Sequence, residues 1–185
     1  MFKVSSFKYK NVLTPEFCVD REHVCLSIDL PSYRSWKKYT LSICKFLSYE
    51  NNNDRSVSSC VVDYPYRAMR ILPERNYTVS EYLKSHSVSA DSVDSISAQC
   101  NVSRDQSINM IGATNRLLLD LSIAFNDNNE VVIASLLAYD PMGIIKTNEL
   151  FKRHGVFPIY ITSPRGEYYY SRLIQPVKFV RTRAC

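Results

Sequence analysis

Residues 116–139 read RLLLDLSIAFNDNNEVVIASLLAY and hold two apolar runs separated by a polar segment. Alternate residues from Leu117 to Phe125 are apolar, which is the period of a half-buried strand, although Leu118 departs from it. The polar residues 126–129 hydrogen-bond their own backbone readily and favour a turn. Residues 131–139 are apolar on both faces, as in a strand at the centre of a covered sheet. The sequence therefore predicts a hairpin whose second strand is central.

Further strand and turn patterns follow this hairpin. Thr147 offers a side-chain oxygen that can cap a short helix, and Gly155 can end it with a positive φ. Residues 156–161 are again strand-like, and the sequence SPRG at residues 163–166 favours a type I turn. Residues 167–174 are predicted as a tyrosine-rich strand. Two hairpins are thus expected to flank one short helix.

The N-terminal half supplies another strand and the longest helix. Residues 23–30 alternate in polarity up to Pro31, which cannot continue a strand ladder. Ser32 can then cap a helix that reaches about Tyr49. Its inward stripe comprises Trp36, Tyr39, Thr40, Ile43, Phe46 and Leu47. A strand over residues 39–43 is the alternative, because alternate residues there are also apolar.

The middle of the chain is the least regular part. Residues 78–85 are predicted as a short helix, and residues 85–107, which contain eight serines, as a mobile loop. The fold class predicted from all these segments is α+β, with residues 1–185 in a single domain. A mainly antiparallel sheet would pack against a long helix in the N-terminal half and a short helix in the C-terminal half. Residues 1–17 would form a basic and aromatic N-terminal arm.

Composition argues against several functional classes. Six cysteines occur without a C-x-x-C pair and only three histidines are present, so no metal-ligand spacing is found. Cys18 and His23 are close in sequence, but no third group that would complete a catalytic arrangement is evident. The four glycines are too scattered for a phosphate-binding loop. No segment has the length of a transmembrane helix or signal peptide. We therefore expect a non-enzymatic protein of the reducing cytosol, with no cofactor and no metal.

The charge pattern indicates a surface function. The net charge is +5, and residues 146–185 hold eight basic and two acidic residues, a local net charge of +6. The candidate contacts with membrane or ribonucleoprotein are the basic residues Lys3, Lys8, Lys10, Arg34, Lys37, Lys38, Lys178, Arg181 and Arg183. Aromatic residues of the arm are candidates for interfacial burial or self-association, namely Phe2, Phe7 and Tyr9. The plainer interpretations are a frayed edge strand with solubilising lysines and a solvated helix face.

The order of these predicted elements resembles that of rhabdovirus matrix proteins. The resemblance covers most of residues 22–180, and it is best between Leu117 and Phe179, with the turn at Asn126 and Asp127. It also includes a Pro-aromatic segment and an aromatic last strand, formed by Pro65, Tyr66, Arg67, Met69, Ile71 and Leu72 and by Tyr168, Tyr169 and Tyr170. The chain departs from the animal-virus members in lacking their lysine- and proline-rich arm and their Pro-Pro-x-Tyr sequence. Its compact length is closer to that of the plant-infecting members.

This resemblance implies a viral structural protein that self-associates and condenses the nucleocapsid at the inner face of the virion envelope. The implied partners are further copies of the chain, the viral nucleoprotein–RNA complex, an anionic membrane surface and the viral glycoprotein tail. The implied locations are the virion, the host cytoplasm and cytoplasmic membranes. A small viral RNA-binding regulator, such as a silencing suppressor, is the alternative, because basic ends and thirteen tyrosines suit phosphate contact and base stacking. A capsid jelly roll is a third interpretation, but the predicted helices leave it too few strands.

Overall fold

The structure is a computed structural model, and it describes residues 2–19, 23–29, 33–49, 59–62, 77–127, 131–135, 141–174 and 176–184. The chain divides into two compact units. The first unit comprises Met1–Val61 and Asn129–Cys185, and the second comprises Val62–Asn128.

In the first unit, five strands are followed by strands that alternate with helices, whereas the described part of the second unit is helical. The described strands are β1 (Phe2–Val4), β2 (Phe7–Tyr9), β3 (Val12–Thr14), β4 (Phe17–Val19), β5 (His23–Ser27), β6 (Ser59–Val62), β7 (Val131–Ser135), β8 (Phe157–Thr162), β9 (Val177–Arg181) and β10 (Arg183–Ala184). The described helices are α1 (Tyr33–Tyr49), α2 (Val79–Ser85), α3 (Ala90–Gln99), α4 (Ala113–Asn126), α5 (Pro141–His154) and α6 (Glu167–Leu173), with a 3-10 turn at Ile108–Met110.

The main sheet of the first unit has the strand order β6-β7-β8-β5-β9. The pairs β7 with β8, β8 with β5, and β5 with β9 are all parallel. Leu26 in β5 lies opposite Ile161 of β8 and Val180 of β9. The expected α+β fold with a mainly antiparallel sheet is therefore wrong, because the central strands are parallel and the architecture is α/β. Parallel neighbours require long crossover connections, and the helices provide them.

One face of this sheet is covered by α1 and the N-terminal strands. Leu26 of β5, Ile133 of β7 and Ile161 of β8 contribute to this core with no exposed surface. Tyr39 and Ile43 of α1 pack against them and are also fully buried. The helix expected from Ser32 to Tyr49 is confirmed as α1, and the strand considered over residues 39–43 is not formed.

The opposite face of the sheet is covered by α5 and α6. The ring of Tyr160 in β8 lies 5.7 Å from that of Phe151 in α5 and 5.6 Å from that of Tyr170 in α6. Tyr160 is fully buried, and both partners are 2% exposed or less. A parallel sheet with helices on both faces explains why Val131, Val132, Ile133 and Ala134 of β7 are all buried, as predicted for a central strand.

The N-terminal arm expected at residues 1–17 is folded into two small antiparallel sheets. Strand β1 pairs with β4, and β3 lies between β10 and β2. Phe7 belongs to the core of the first unit, with its ring 5.0 Å from that of Phe46. Thr14 shares a hydrogen bond of 2.5 Å with the hydroxyl of Tyr39. Apolar residues of this segment therefore anchor it to α1.

The second unit is formed by α2, α3 and α4 in its described part. Thr78 caps α2 with a complete capping box, because its side chain accepts from the Glu81 amide and Glu81 bonds back to the Thr78 amide. This confirms the helix predicted at residues 78–85. The prediction of a mobile loop over residues 85–107 is wrong at the centre of that segment. There α3 forms, and it buries Val93 and Ser97 at helical spacing.

Two predicted strands are helices instead. Residues 116–125 belong to α4, in which every residue from Leu117 to Phe125 is buried. Apolar residues alternate here only because the segment is apolar on almost every face of the helix. Residues 167–174 belong mostly to α6, in which Tyr170 is buried whereas Tyr168 and Tyr169 are each 55% exposed.

Other predicted elements are confirmed with adjusted bounds. Strands β5 and β8 occupy the predicted segments, and Gly166 donates to the Ser163 carbonyl at 2.9 Å in the predicted turn. Helix α5 begins at Pro141 rather than at Thr147, since proline is well tolerated in a first helical turn. It ends at His154, and Gly155 has a φ of 64°, as expected. Residues 63–76, with the Pro-aromatic segment, and residues 136–140 lie outside the described part of the chain. Among the residues that the structure describes, no helix combines the length and the hydropathy that a bilayer crossing requires.

Candidate functional site

The strand order of the main sheet defines where a ligand would bind. After β5 the chain passes through α1 and reaches β6, which forms one edge of the sheet. After β8 the chain passes through α6 and reaches β9, which forms the opposite edge, beyond β5. The connections that leave β5 and β8 therefore run in opposite directions. Such a switch point opens a crevice at the carboxyl ends of parallel strands, which is the usual ligand site of open α/β sheets. We call this region the carboxyl edge.

Backbone hydrogen bonds hold the strand ends together at the carboxyl edge. The amide of Ile28, just past β5, donates to the Thr162 carbonyl of β8 at 2.9 Å. The amide of Thr182, just past β9, donates to the Ser27 carbonyl at 3.1 Å. Asp29 follows on the β5 side with an exposed side chain. The edge is thus a rigid platform built from three adjacent strand ends.

An ion pair ties α6 to β9 at the same edge. Arg181 donates to both carboxylate oxygens of Glu167, with distances of 2.7, 3.1 and 3.2 Å. The hydrogen bond from the Arg181 guanidinium holds the pKa of the Glu167 carboxyl below its usual value of 4.5. A carboxylate held in this way stays ionised and is a poor proton acceptor at neutral pH. Glu167 therefore positions the segment after β8 and is not suited to act as a base.

We expect this pair to make stability depend on pH in acid. Because the folded-state pKa of Glu167 is depressed, the contribution of the pair is fully present above the unfolded value and is lost as pH falls through the folded value. The free energy of unfolding of the wild type and of Glu167→Gln should be measured from roughly pH 7 to pH 3. The stability advantage of the wild type should stay constant above the usual glutamate pKa and shrink below it. An advantage that grew as the pH fell would contradict the assignment.

The turn after β8 is closely packed against the strand that precedes it. The Gly166 amide donates to the carbonyl of Ser163 at 2.9 Å and to its hydroxyl at 3.2 Å. A Cβ at Gly166 would overlap the side-chain oxygen of Thr162 and lie 3.3 Å from the Ser163 carbonyl oxygen. The Thr162 side chain is 2% exposed and has little room to move away. Only glycine fits this position.

Gly166→Ala is expected to lower the free energy of unfolding by about 1–3 kcal/mol, because it overpacks a buried contact. Gly112→Ala is the matched control, since nothing lies within 4 Å of a Cβ at Gly112 and its φ is −61°. The control should lower stability by about 1 kcal/mol or less, the cost of replacing glycine by alanine at a helix N-cap. Chemical denaturation of both variants measures the difference. Equal effects would show that the turn can absorb a methyl group.

Helix α1 places the partial positive charge of its amino terminus near the carboxyl end of β5. Its amino terminus follows the carboxyl end of β5, so its first amide groups and its dipole favour an anion there. Residues 28–40 read IDLPSYRSWKKYT and contain no glycine, so a glycine-rich phosphate loop is absent from this connection. Lys38 is exposed in the second turn of the helix. In the described part of the chain, no group of three metal-ligating side chains forms a metal site.

The residues predicted as membrane or ribonucleoprotein contacts are dispersed in the structure. Lys3 pairs with Glu16 at 2.8 Å, and Lys8 and Lys10 are exposed on or beside β2. Lys178 is exposed on β9, and Arg181 is engaged by Glu167. Arg34 and Lys37 lie in α1 with Lys38, whereas Arg183 is in β10 and Phe2 in β1. Phe7 is buried and Tyr9 is half-buried beside Tyr39. The structure therefore places Arg181 at the carboxyl edge, opposite Ser27 of β5, and Arg34, Lys37 and Lys38 in the helix that follows β5.

Sequence reasoning missed the residues that form the carboxyl edge, which include Thr162, Ser163 and Glu167. A usable signal was present, because the apolar segments 24–28, 131–135 and 157–162 are each followed within a few residues by a helix. Strand–helix alternation of this kind is typical of a parallel sheet, whose strand ends meet at one edge.

The fold is similar to that of ATP-binding cassettes from ABC transporters. The cbiO1 protein of Clostridium perfringens, part of the transporter complex cbiONQ, matches 98% of this chain over 86% of its own length, with a TM-score of 0.61 and 13% identity. An ATP-binding subunit of an ABC transporter matches 100% of the chain over 89% of its own length, with a TM-score of 0.59 and 13% identity. The cassette MJ1267 in its ADP conformation matches 98% over 88%, with a TM-score of 0.63 and 11% identity. At these identities the likeness concerns the fold. No protein-family model and no curated protein sequence matches the chain.

These comparisons overturn the functional expectations. The resemblance to rhabdovirus matrix proteins was wrong, since it depended on two strands that are helices and on an antiparallel sheet that is parallel. The viral assembly role, the RNA-regulator alternative, the viral partners and the virion location are overturned with it. The expectation of a non-enzymatic protein is corrected as well, because the shared fold is that of ATP-binding cassettes.

Proposed function

We propose that this chain is a nucleotide-binding subunit of the ATP-binding-cassette type, which binds ATP at the carboxyl edge and works as part of a transporter complex. The observation that carries the proposal is the switch point between β5 and β8, followed directly by the long helix α1. The cassette proteins with this fold are named as ATP-binding and as parts of transporters, and their likeness extends over nearly the whole chain.

The triphosphate would be held mainly by α1. Its amino-terminal amides and dipole attract an anion, and Lys38, an exposed cation of its second turn, can pair with phosphate oxygens. The glycines that let a backbone loop wrap around phosphates are missing between residues 28 and 40. Asp29 adds a negative charge close to the expected phosphates. We therefore expect nucleotide binding that is weaker than in cassettes with a glycine-rich loop and strongly salt-dependent.

Equilibrium binding of a fluorescent ATP analogue to the full chain, with ATP and ADP as competitors, tests the proposal. Lys38→Glu should weaken binding by roughly tenfold, because it replaces an attractive charge near the phosphates by a repulsive one. Asp29→Asn should strengthen binding by about threefold for the opposite reason. Lys45→Glu is the matched control: Lys45 is also exposed on α1 but lies two turns further from the helix start, so its effect should be small.

Phosphate release from ATP should be measured in the same samples. Turnover that is lost in Lys38→Glu and retained in Lys45→Glu would assign hydrolysis to the carboxyl edge. Absence of competable nucleotide binding at millimolar concentration and low salt would contradict the proposed function. Equal weakening by the two lysine variants would also contradict it, because the binding would then be a general charge effect.

A further inference from the structure

Strand β9 is an open edge of the main sheet. It pairs with β5 on one side, and among the described strands nothing pairs with its other side. Such an edge presents amide and carbonyl groups that can extend the sheet into another polypeptide. Side chains of β9 alternate between the two faces, so Val177 and Phe179 share the face of α6 whereas Lys178 points to the opposite face.

An open groove runs beside this strand. It has a volume of about 550 Å³ and is lined by Ser171, Pro176, Val177 and Phe179. The lining of the groove is mostly apolar, and Val177 and Phe179 are only partly buried. A groove of this size next to an unpaired strand can accept an apolar side chain of a segment added to the sheet.

The charge on β9 itself decides which segment fits. Lys178 is exposed on the face of β9 opposite the groove. Arg181, also exposed on this strand, is engaged by the carboxylate of Glu167. An added strand would therefore meet the positive charge of Lys178 on the face opposite the groove.

This charge pattern disfavours a second copy of the same edge, because two copies would bring like charges together. It favours an acidic strand. We propose that the β9 edge binds an extended acidic segment of a partner protein, which adds to the sheet as a further strand and places apolar side chains in the groove. Alternating apolar and acidic residues fit best, since apolar side chains would face the groove and acidic ones Lys178.

Fluorescence anisotropy with the full chain and a labelled nine-residue peptide of alternating valine and glutamate tests this proposal. The valine–glutamate peptide should bind, and a valine–lysine peptide of the same length should not. Lys178→Glu should weaken binding by roughly fivefold or more, because an attraction becomes a repulsion. Lys152→Glu is the matched control, since it makes the same change of charge at an exposed position of α5, and it should leave binding unchanged.

A peptide with N-methyl groups at every residue separates strand addition from simple charge attraction. It keeps every side chain and charge but removes the amide donors of both edges, so its binding should be lost. Retained binding of this peptide, or equal weakening by Lys178→Glu and Lys152→Glu, would overturn the proposal. Tighter binding of a single-stranded oligonucleotide at the same residues would overturn it too. Loss of ATP binding in the Lys38 variant leaves this result unaffected, so the two proposals fail independently.

Discussion

Leu26→Ala is expected to lower the free energy of unfolding by about 3 kcal/mol, within a range of about 2–5 kcal/mol for large-to-small core substitutions. Leu26 has no exposed surface and lies in the central strand β5, between Ile161 of β8 and Val180 of β9. Its truncation leaves a cavity where the sheet, α1 and the N-terminal strands meet. Denaturant unfolding measures the loss.

Leu41→Ala provides the control for this prediction. Leu41 lies on α1, in the helix that covers Leu26, but its side chain is 44% exposed. Its truncation should change the free energy of unfolding by about 0.5 kcal/mol or less. A similar loss in the two variants would mean that β5 does not occupy the centre of the core.

The second large effect is expected in the helical unit, at a buried polar cluster. The Tyr82 hydroxyl of α2 donates to the Asp120 carboxylate of α4 at 2.6 Å. Arg116 places its guanidinium 3.9 Å from the Tyr82 ring and its Nε 3.6 Å from the same carboxylate oxygen. The side chain of Asp120 is only 5% exposed. A buried carboxylate is stabilised here by a hydroxyl and a cation from two different helices, α2 and α4.

Asp120→Ala should therefore lower the free energy of unfolding by about 3 kcal/mol, because it leaves a buried hydroxyl and a nearby arginine without their acceptor. In a double-mutant cycle with Tyr82→Phe, the coupling energy should be about 1.5–3 kcal/mol, as for a hydrogen bond to a charged group. Asp94→Ala is the matched control, since Asp94 also pairs with an arginine, Arg104 at 2.9 Å, but is 66% exposed. That change should have an effect of about 1 kcal/mol or less, and coupling near zero between Tyr82 and Asp120 would contradict the cluster.

Several elements could be predicted from the sequence because local chemistry determines them. The alternation in β5, the helical spacing of the buried Tyr39 and Ile43 in α1, and the Thr78 cap of α2 give signals that depend on neighbouring residues alone. The break at Gly155 is equally local, because its φ of 64° suits glycine. Such local signals predict an element without knowledge of the fold around it.

The topology predicted from the sequence is wrong because the segments that form α4 and α6 are predicted as strands. Residues 117–125 are buried all round in α4, so alternation and helical periodicity fit them equally well. The tyrosines of residues 168–170 favour strands by propensity, but the burial of Tyr170 alone reflects one face of a helix. Reading these segments as strands turns crossover connections into hairpins, and a parallel sheet into an antiparallel one. This error led to the wrong fold class, α+β instead of α/β, and to the wrong resemblance to rhabdovirus matrix proteins.

The candidate site could not be predicted for the same reason. Ile28 and Thr162 are far apart in sequence and are hydrogen-bonded only because β5 and β8 are parallel neighbours. The sequence has no glycine-rich loop, and this absence argues against a phosphate-binding loop but not against the fold that ATP-binding cassettes share. A fold depends on its core residues, and a loop at the sheet edge can change without altering that core.

Hydrogen exchange of the full chain with and without ATP tests the central claim most directly, because it locates the nucleotide without any substitution. The account predicts ATP-dependent protection in peptides that cover residues 23–40 and 157–170, on the two sides of the switch point, with the remaining peptides little changed. Unchanged exchange at saturating ATP, or protection confined to residues 77–127, would contradict a nucleotide site at the carboxyl edge.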